Sequence, residues 1–150
     1  MVPLDAFRQK VQDHQRDLSQ VRDSVSYARK IISKEKDIGP GQCARLVNSI
    51  RSVEEPLREL YLLLDTPELL PLSARPFRHP LLIILDNASE LLRDVIHNIS
   101  SLYLVYRTAS DQEADMYRQQ ILEQLEALDQ KKEDIMRNST RLLLKAHANR

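Results

Sequence analysis

The sequence predicts an all-α protein, and more specifically an up-down-up-down four-helix bundle. Four segments carry apolar residues at alternating three- and four-residue steps, which is the spacing of one face of an α-helix. The chain has 150 residues but only two glycines, as expected of a protein that is nearly all helix. Because the connections between the segments are short, consecutive helices should be antiparallel neighbours. We expect residues 1–150 to form a single domain with its own hydrophobic core.

The third predicted helix, residues 80–106, is the one around which the others should pack. Its apolar positions form a seam that is sustained over nearly four heptads. The members of this seam are Leu81, Leu85, Ala88, Leu92, Val95, Ile99, Leu102 and Tyr106. Ile84, Leu91 and Val105 widen it toward a second neighbour, which is typical of a buried helix. Charged residues interrupt the segment, so it is not predicted to span a membrane.

The first helix is predicted for residues 4–33, where the same apolar spacing runs without a break. Its seam contains one polar residue, His14. A histidine on an apolar seam is most simply a hydrogen-bonded core residue, and a pH-sensitive role is the alternative. The opposite face mixes acidic and basic side chains, among them Arg16 and Asp17, and should be solvated. The turn that follows contains Pro40 and both glycines, and it should end the helix.

The second helix is predicted for residues 42–64, and it contains Pro56. Proline lacks the N–H that would bond to the carbonyl of residue 52, and its ring clashes with that carbonyl. We therefore expect helix 2 to be kinked at Pro56.

The fourth helix is predicted for residues 111–147, after a capping box formed by Ser110 and Glu113. Its first half has a good apolar seam, but beyond Leu128 several seam positions are polar, beginning with Lys131. A helix of this length would extend ~55 Å, against ~35 Å for the second helix. The C-terminal part should therefore overhang the bundle. Such an overhang is expected of the N-terminal domain of a larger protein.

No catalytic, cofactor-binding or metal-binding site is predicted. The chain lacks a Gly-rich phosphate loop, a Cys-x-x-Cys pair and a His-Glu-x-x-His motif, and its four histidines do not fit the Glu-x-x-His pattern of a di-iron bundle. We therefore do not expect an enzyme. Cys43 is the only cysteine, so an internal disulfide is excluded and the residue is interpreted as a small buried hydrophobe. The N-terminus has no signal-peptide core, which favours a cytoplasmic protein.

Charge is balanced overall but concentrated locally. The 22 basic and 22 acidic residues give no net charge, which argues against nucleic-acid binding. Basic residues concentrate at the end of helix 1 and in residues 131–150, and a basic amphipathic helix can lie on an anionic bilayer. The candidate lipid-binding residues are Lys131, Lys132, Arg137, Arg141, Lys145, Arg29, Lys30 and Lys34. The simpler alternative is a solvated charged face whose apolar residues pack on helix 1 or on a downstream region.

Several short patterns in helices 2 and 3 carry a family resemblance. They are Cys43-x-x-Leu46-x-x-x-Ile50, Pro56-Leu57-x-x-Leu60, Leu85-x-x-Ala88 and Ile99-Ser100-Ser101-Leu102-Tyr103-Leu104. With the short link into helix 4, they resemble the N-terminal four-helix bundles of the mixed-lineage kinase domain-like family. They are also similar to the HeLo domains of fungal cell-death proteins, the coiled-coil domains of plant immune receptors and the N-terminal bundles of plant U-box armadillo proteins. The resemblance covers roughly residues 40–130.

The resemblance implies a non-catalytic signalling bundle of regulated cell death or immunity. Such bundles self-associate and bind anionic membranes through basic side chains, which implies recruitment from the cytoplasm to the plasma membrane and implicates the basic residues named above. Helix 1 departs from the family because it is longer and highly charged, which argues against direct pore formation by this helix. The alternative hypothesis is a protein-interaction adaptor or scaffold with no membrane role, favoured by the neutral total charge and the polar helix 1.

Overall fold

The structure is a computed structural model that describes residues 4–34, 38–66, 70, 72–108 and 111–148. Within these residues the protein is all-α, as predicted, with a 3-10 segment at Leu72–Phe77. The α-helices are α1 (Leu4–Ser19), α2 (Val21–Lys34), α3 (Pro40–Arg51), α4 (Glu54–Asp65), α5 (Arg78–Thr108) and α6 (Asp111–Ala148). Together α1 and α2 occupy the predicted first helix, and α3 and α4 occupy the second, so the elements form four helices.

The core lies between these four helices, and α5 is at its centre. This helix packs against α3, α4 and α6, while α6 also packs against α1 and α2. Each described side chain of the predicted α5 seam is buried, from Leu81 to Leu102. The side chain of Tyr106 lies outside the described residues. The apolar period of the sequence therefore identifies the central helix correctly.

A serine hydroxyl interrupts the first helix at Gln20. The Ser19 hydroxyl donates a 2.5 Å hydrogen bond to the carbonyl of Arg16, the group that the Gln20 N–H would bond in a regular α-helix. The Gln20 N–H donates instead to the carbonyl of Asp17, at 3.2 Å. One tighter turn therefore separates α1 from α2.

The second helix is interrupted in the same way at Ser52 and Val53. The Ser52 hydroxyl donates to the carbonyl of Ser49 at 2.6 Å, and the Val53 N–H donates to the carbonyl of Ile50 at 3.1 Å. Pro56 is the third residue of α4 and has no N–H with which to bond the Ser52 carbonyl. The interruption thus lies at Ser52 and Val53, before Pro56, and includes the carbonyl that the proline cannot bond.

The C-terminal half of α6 packs on the first helix, so the predicted overhang is wrong as far as Leu142. Ile135, Ser139 and Leu142 are fully buried. Gln15 Nε2 donates hydrogen bonds to the hydroxyls of Ser139, at 2.8 Å, and Thr140, at 3.1 Å. The buried face of this half thus passes through Lys132, Ile135, Ser139 and Leu142, whereas the polar positions 131 and 138 of the predicted seam are only partly buried. The buried serine is satisfied by a side chain of α1.

Candidate functional site

The predicted lipid-binding residues do not form one compact patch. Gln15 is hydrogen-bonded to Ser139, so Arg137 and Arg141 lie within one helical turn of the level of Gln15. Arg29 lies fourteen residues beyond Gln15 along the first helix, which corresponds to ~20 Å. The structure therefore separates Arg137 and Arg141 from Arg29, whereas Lys132 shares a cavity with Val21 at the start of α2.

Lys132 is a core residue, which contradicts its assignment to a solvated face. Only 8% of it is exposed, and it lines a small internal cavity with apolar residues such as Leu57 and Ile135. Its Nζ lies 2.8 Å from Glu133 Oε1 and 3.4 Å from Asp129 Oδ1. Its aliphatic stem is thus buried, while the ammonium reaches two carboxylates at the edge of the core.

The ion pairs of Lys132 outweigh the effect of its burial. Burial alone would lower the pKa of Lys132, but the hydrogen bond to Glu133 and the negative charges of Asp129 and Glu133 raise it above its ordinary value. The hydrogen bond from Lys132 in turn lowers the pKa of the Glu133 carboxyl. Lys132 is therefore charged and already paired, and it is a poor candidate for a lipid contact.

The other basic residues of the C-terminal segment form only a weak binding site for an anionic surface. Arg137 is exposed, but its Nη1 lies 3.7 Å from Asp134 Oδ1. Lys131 is half-buried and Arg141 is exposed, while the side chain of Lys145 lies outside the described residues. Asp134 therefore partly compensates the charge of Arg137, and the half-buried Lys131 offers little surface to a lipid.

The strongest basic surface lies on α2, and we call it the α2 basic face. It consists of Arg22, Arg29, Lys30 and Lys34, which are all exposed. At 100° per residue these four side chains occupy an arc of about 140°, opposite the buried side of the helix. Tyr27 lies beside them with 37% of its surface exposed. Asp23 is the acidic residue of α2, and the charge of Arg22 also acts on Glu133 of α6, so Arg29, Lys30 and Lys34 carry the excess positive charge of this face.

A groove of about 180 Å³ lies between α4 and α5. Its rim carries both signs of charge, from Glu54 and Arg58 on α4 and from Asp86 and Arg93 on α5. Apolar and aromatic side chains, including Tyr61, contribute to its wall. Such a mixed groove suits a polar protein segment better than a uniformly charged ligand.

Cys43 and His14, which the sequence analysis considered individually, have different surroundings. Cys43 is half-buried, and burial raises the pKa of its thiol, which fits the expected unreactive role. His14 has a side chain that is 16% exposed, but its Nδ1 is buried without a hydrogen-bond partner, so the expectation of a fully hydrogen-bonded histidine is not met. Glu59 Oε2 lies 3.6 Å from this nitrogen, and Asp17 is one turn away on α1.

Sequence reasoning assigned Asp17 to a solvated face and did not consider Glu59 at all. A histidine and a carboxylate three residues apart on one helix are a local signal that could have drawn attention to Asp17. Glu59 is 45 residues away from His14 in the sequence, and only the packing of α1 against α4 brings the two together.

No helix within the described ranges is both long enough and apolar enough to cross a lipid bilayer. Comparisons with models of protein families, with curated proteins and with solved structures found no match. The resemblance to bundles of cell-death and immune proteins therefore stays a prediction that rests on the patterns in helices 2 and 3.

Proposed function

We propose that this chain is a non-catalytic signalling bundle that binds anionic membrane surfaces and self-associates. The α2 basic face is the observation that carries the proposal, because it exposes four cations and a tyrosine on one side of a helix. The resemblance of helices 2 and 3 to bundles of regulated cell death and immunity supports the signalling role. On this proposal, the protein moves from the cytoplasm to the plasma membrane when it acts.

We also infer the up-down-up-down course of the four helices, with a bend in helix 2 at its interruption. Gln15 bonds Ser139, and Arg8 shares a groove with Leu144, which supports an antiparallel pairing of the first and fourth helices. The Arg78 guanidinium donates to the carbonyl of Leu64, which places the start of α5 beside the end of α4. This course leaves the α2 basic face pointing away from the core.

The energetics connect membrane binding to self-association. Each basic residue near an anionic bilayer contributes ~1 kcal/mol. The four cations of the α2 basic face would supply ~4 kcal/mol in total, which corresponds to a Kd of ~1 mM for one protomer. Several protomers joined together would present several such faces to one bilayer, and avidity would then raise the apparent affinity by orders of magnitude.

Flotation with lipid vesicles tests this proposal. The wild type should float with vesicles that contain phosphatidylserine and phosphoinositides and should not float with pure phosphatidylcholine. The variant Arg29→Glu, Lys30→Glu, Lys34→Glu should lose binding to the anionic vesicles, because three attractive charges become repulsive.

A matched control changes the same amount of charge on other surfaces. Lys10, Arg51 and Arg75 are exposed and lie outside α2 and outside the groove between α4 and α5, so their replacement by glutamate gives the same net charge without touching the α2 basic face. This control should bind more strongly than the α2 variant. Equal loss in both variants would show that binding follows net charge alone, and an absence of wild-type flotation at ~0.15 M salt would refute the membrane role.

The alternative is a protein-interaction adaptor or scaffold, and the mixed-charge groove between α4 and α5 favours it. Sedimentation over a concentration series, without vesicles, measures self-association directly. If the groove forms the contact, Arg58→Glu with Arg93→Glu should weaken association while the α2 variant associates normally. Self-association of a wild type that does not float with anionic vesicles would favour this second function.

A further inference from the structure

We propose that His14, Asp17 and Glu59 form a binding site for a divalent transition-metal cation, with Zn²⁺ the best fit, between α1 and α4. One ligand atom from each of these three residues can be chosen so that all three lie within 4.8 Å of one another. Imidazole nitrogen and carboxylate oxygen are both common ligands of Zn²⁺. The site is thus a one-histidine, two-carboxylate set, with a coordination position left for water.

The orphaned nitrogen of His14 is an independent observation in favour of a ligand. Its Nδ1 has essentially no solvent contact and no hydrogen-bond partner. Buried polar atoms are normally satisfied, and leaving one without a partner costs ~1–3 kcal/mol. Glu59 Oε2 at 3.6 Å is beyond hydrogen-bond distance, so it does not satisfy this nitrogen. A cation between the two atoms would satisfy both.

The spacing of the two atoms agrees with metal coordination. With metal–ligand bonds of about 2.0–2.2 Å, two ligands of a tetrahedral Zn²⁺ are ~3.4 Å apart. The observed 3.6 Å between His14 Nδ1 and Glu59 Oε2 needs little adjustment. Asp17 is exposed and lies three residues after His14 on α1, so a change of its side-chain rotamer can close the remaining distance.

Binding would join two helices that are far apart in the sequence. His14 and Asp17 belong to α1, while Glu59 belongs to α4, and these helices are packed against each other. A cation held by both helices binds the folded chain and not the unfolded one, so it should stabilise the fold. This role goes beyond the proposed membrane function, because it involves neither the α2 basic face nor the lipid.

Titration calorimetry with Zn²⁺ alone, in a buffer without chelators, tests the proposal. We expect one Zn²⁺ per chain, and the melting temperature should rise by ~5–10 °C when free Zn²⁺ is a hundred times the Kd. Substitution by Co²⁺ should give the intense visible absorption of a tetrahedral site. His14→Gln and Glu59→Gln should each weaken Zn²⁺ binding by at least roughly tenfold. Removing a residue that only hydrogen-bonds to a metal ligand already weakens binding by about this factor, and removing the ligand itself should cost more.

Two variants serve as matched controls. Asp13→Asn changes a carboxylate on α1 that accepts a 2.8 Å hydrogen bond from Gln9. His97→Gln removes an exposed histidine of α5. Both should bind Zn²⁺ like the wild type.

The fold of each variant is checked by circular dichroism and by its melting temperature without metal. Glu59 is 45% exposed, so Glu59→Gln should fold even if His14→Gln does not. Absence of Zn²⁺ binding, or binding that is unchanged in Glu59→Gln, would overturn the proposal. A loss of stability in Glu59→Gln, without any response of the wild type to Zn²⁺, would likewise overturn it in favour of a simple contact between His14 and Glu59.

Discussion

Replacing Lys132 by glutamate should destabilise the bundle strongly, although the sequence places this lysine in an ordinary charged segment. The residue lines an internal cavity together with Leu18 and Val21 of the first helix and with apolar residues of α4, α5 and α6. Glutamate has a shorter aliphatic stem and the wrong charge. It would therefore leave the apolar surroundings less well filled, and it would oppose Asp129 and Glu133 where lysine attracts them.

The magnitude follows from these two losses. Removing two buried methylene groups costs ~1.6 kcal/mol, at ~0.8 kcal/mol for each. Exchanging two partly exposed attractions for repulsions adds ~1–2 kcal/mol, since each such pair is worth less than ~1 kcal/mol. The free energy of unfolding should thus fall by ~3 kcal/mol, and the melting temperature should fall by ~6–12 °C.

Thermal and urea unfolding of three variants measures this effect. Lys132→Met keeps the aliphatic stem and loses only the attraction to two partly exposed carboxylates, so it should cost less than ~1–2 kcal/mol and clearly less than Lys132→Glu. Arg137→Glu reverses a charge one turn away on an exposed side chain and should change the free energy of unfolding by less than ~0.5 kcal/mol. Equal, small changes for Lys132→Glu and Arg137→Glu would refute the assignment of Lys132 to the core.

Four further predictions follow from other features. Leu92→Ala, in the buried α5 seam, should lower the free energy of unfolding in urea by ~2–5 kcal/mol. Leu104→Ala, on an exposed part of α5, should lower it by less than ~0.5 kcal/mol. Similar losses in both variants would contradict the orientation of α5. Pro56→Ala should lower the free energy of unfolding by ~0.4–1 kcal/mol, because the helix is already interrupted and the unfolded chain gains freedom; a clear gain in stability would mean that the proline strains the fold. The pKa of Glu133 is lowered by its hydrogen bond from Lys132, so the ion pair stabilises the protein above pH 4.5, the ordinary value, and this contribution is lost as the pH falls through the lowered pKa. The part of the difference in unfolding free energy between wild type and Lys132→Met that comes from this pair should therefore shrink in acid. A difference that stays constant down to pH 2 would exclude a contribution from the pair. Flotation on anionic vesicles should weaken as salt rises from ~0.1 to ~1 M, where the Debye length falls from ~10 to ~3 Å; binding that is insensitive to salt would indicate apolar insertion instead.

The sequence predicts the helices well because each depends on local information. The period of Leu81, Leu85, Ala88 and Leu92 identifies the face of α5 that is buried without any knowledge of its neighbours. The bounds of α5 and α6 agree with the prediction to within two residues for the same reason. The serine interruptions were not predicted, because a serine in a helix usually points to solvent or bonds its own turn without breaking the helix.

The polar half of α6 could not be predicted from its own sequence. Ser139 is acceptable in the core because Gln15 donates to it from α1, and Lys132 is acceptable because its charge reaches two carboxylates at the edge of the core. The predicted seam instead runs through the polar positions 131 and 138, so the buried positions 132 and 139 are missed. The contact between His14 and Glu59 has the same origin, since it depends on how α1 is placed against α4.

The two serine interruptions lie at the same level of the bundle. Leu18 and Val21, on either side of the first interruption, line the same small cavity as Val53, which lies at the second interruption, and Leu57 of α4. On one side of this level α1 packs on α4, and on the other side α2 packs on α3, while α5 and α6 continue unbroken past both. The described helices thus form two half-bundles that share α5 and α6. Because these two helices cross the level of both interruptions unbroken, they connect the half that carries the α2 basic face to the half that holds His14 and Glu59.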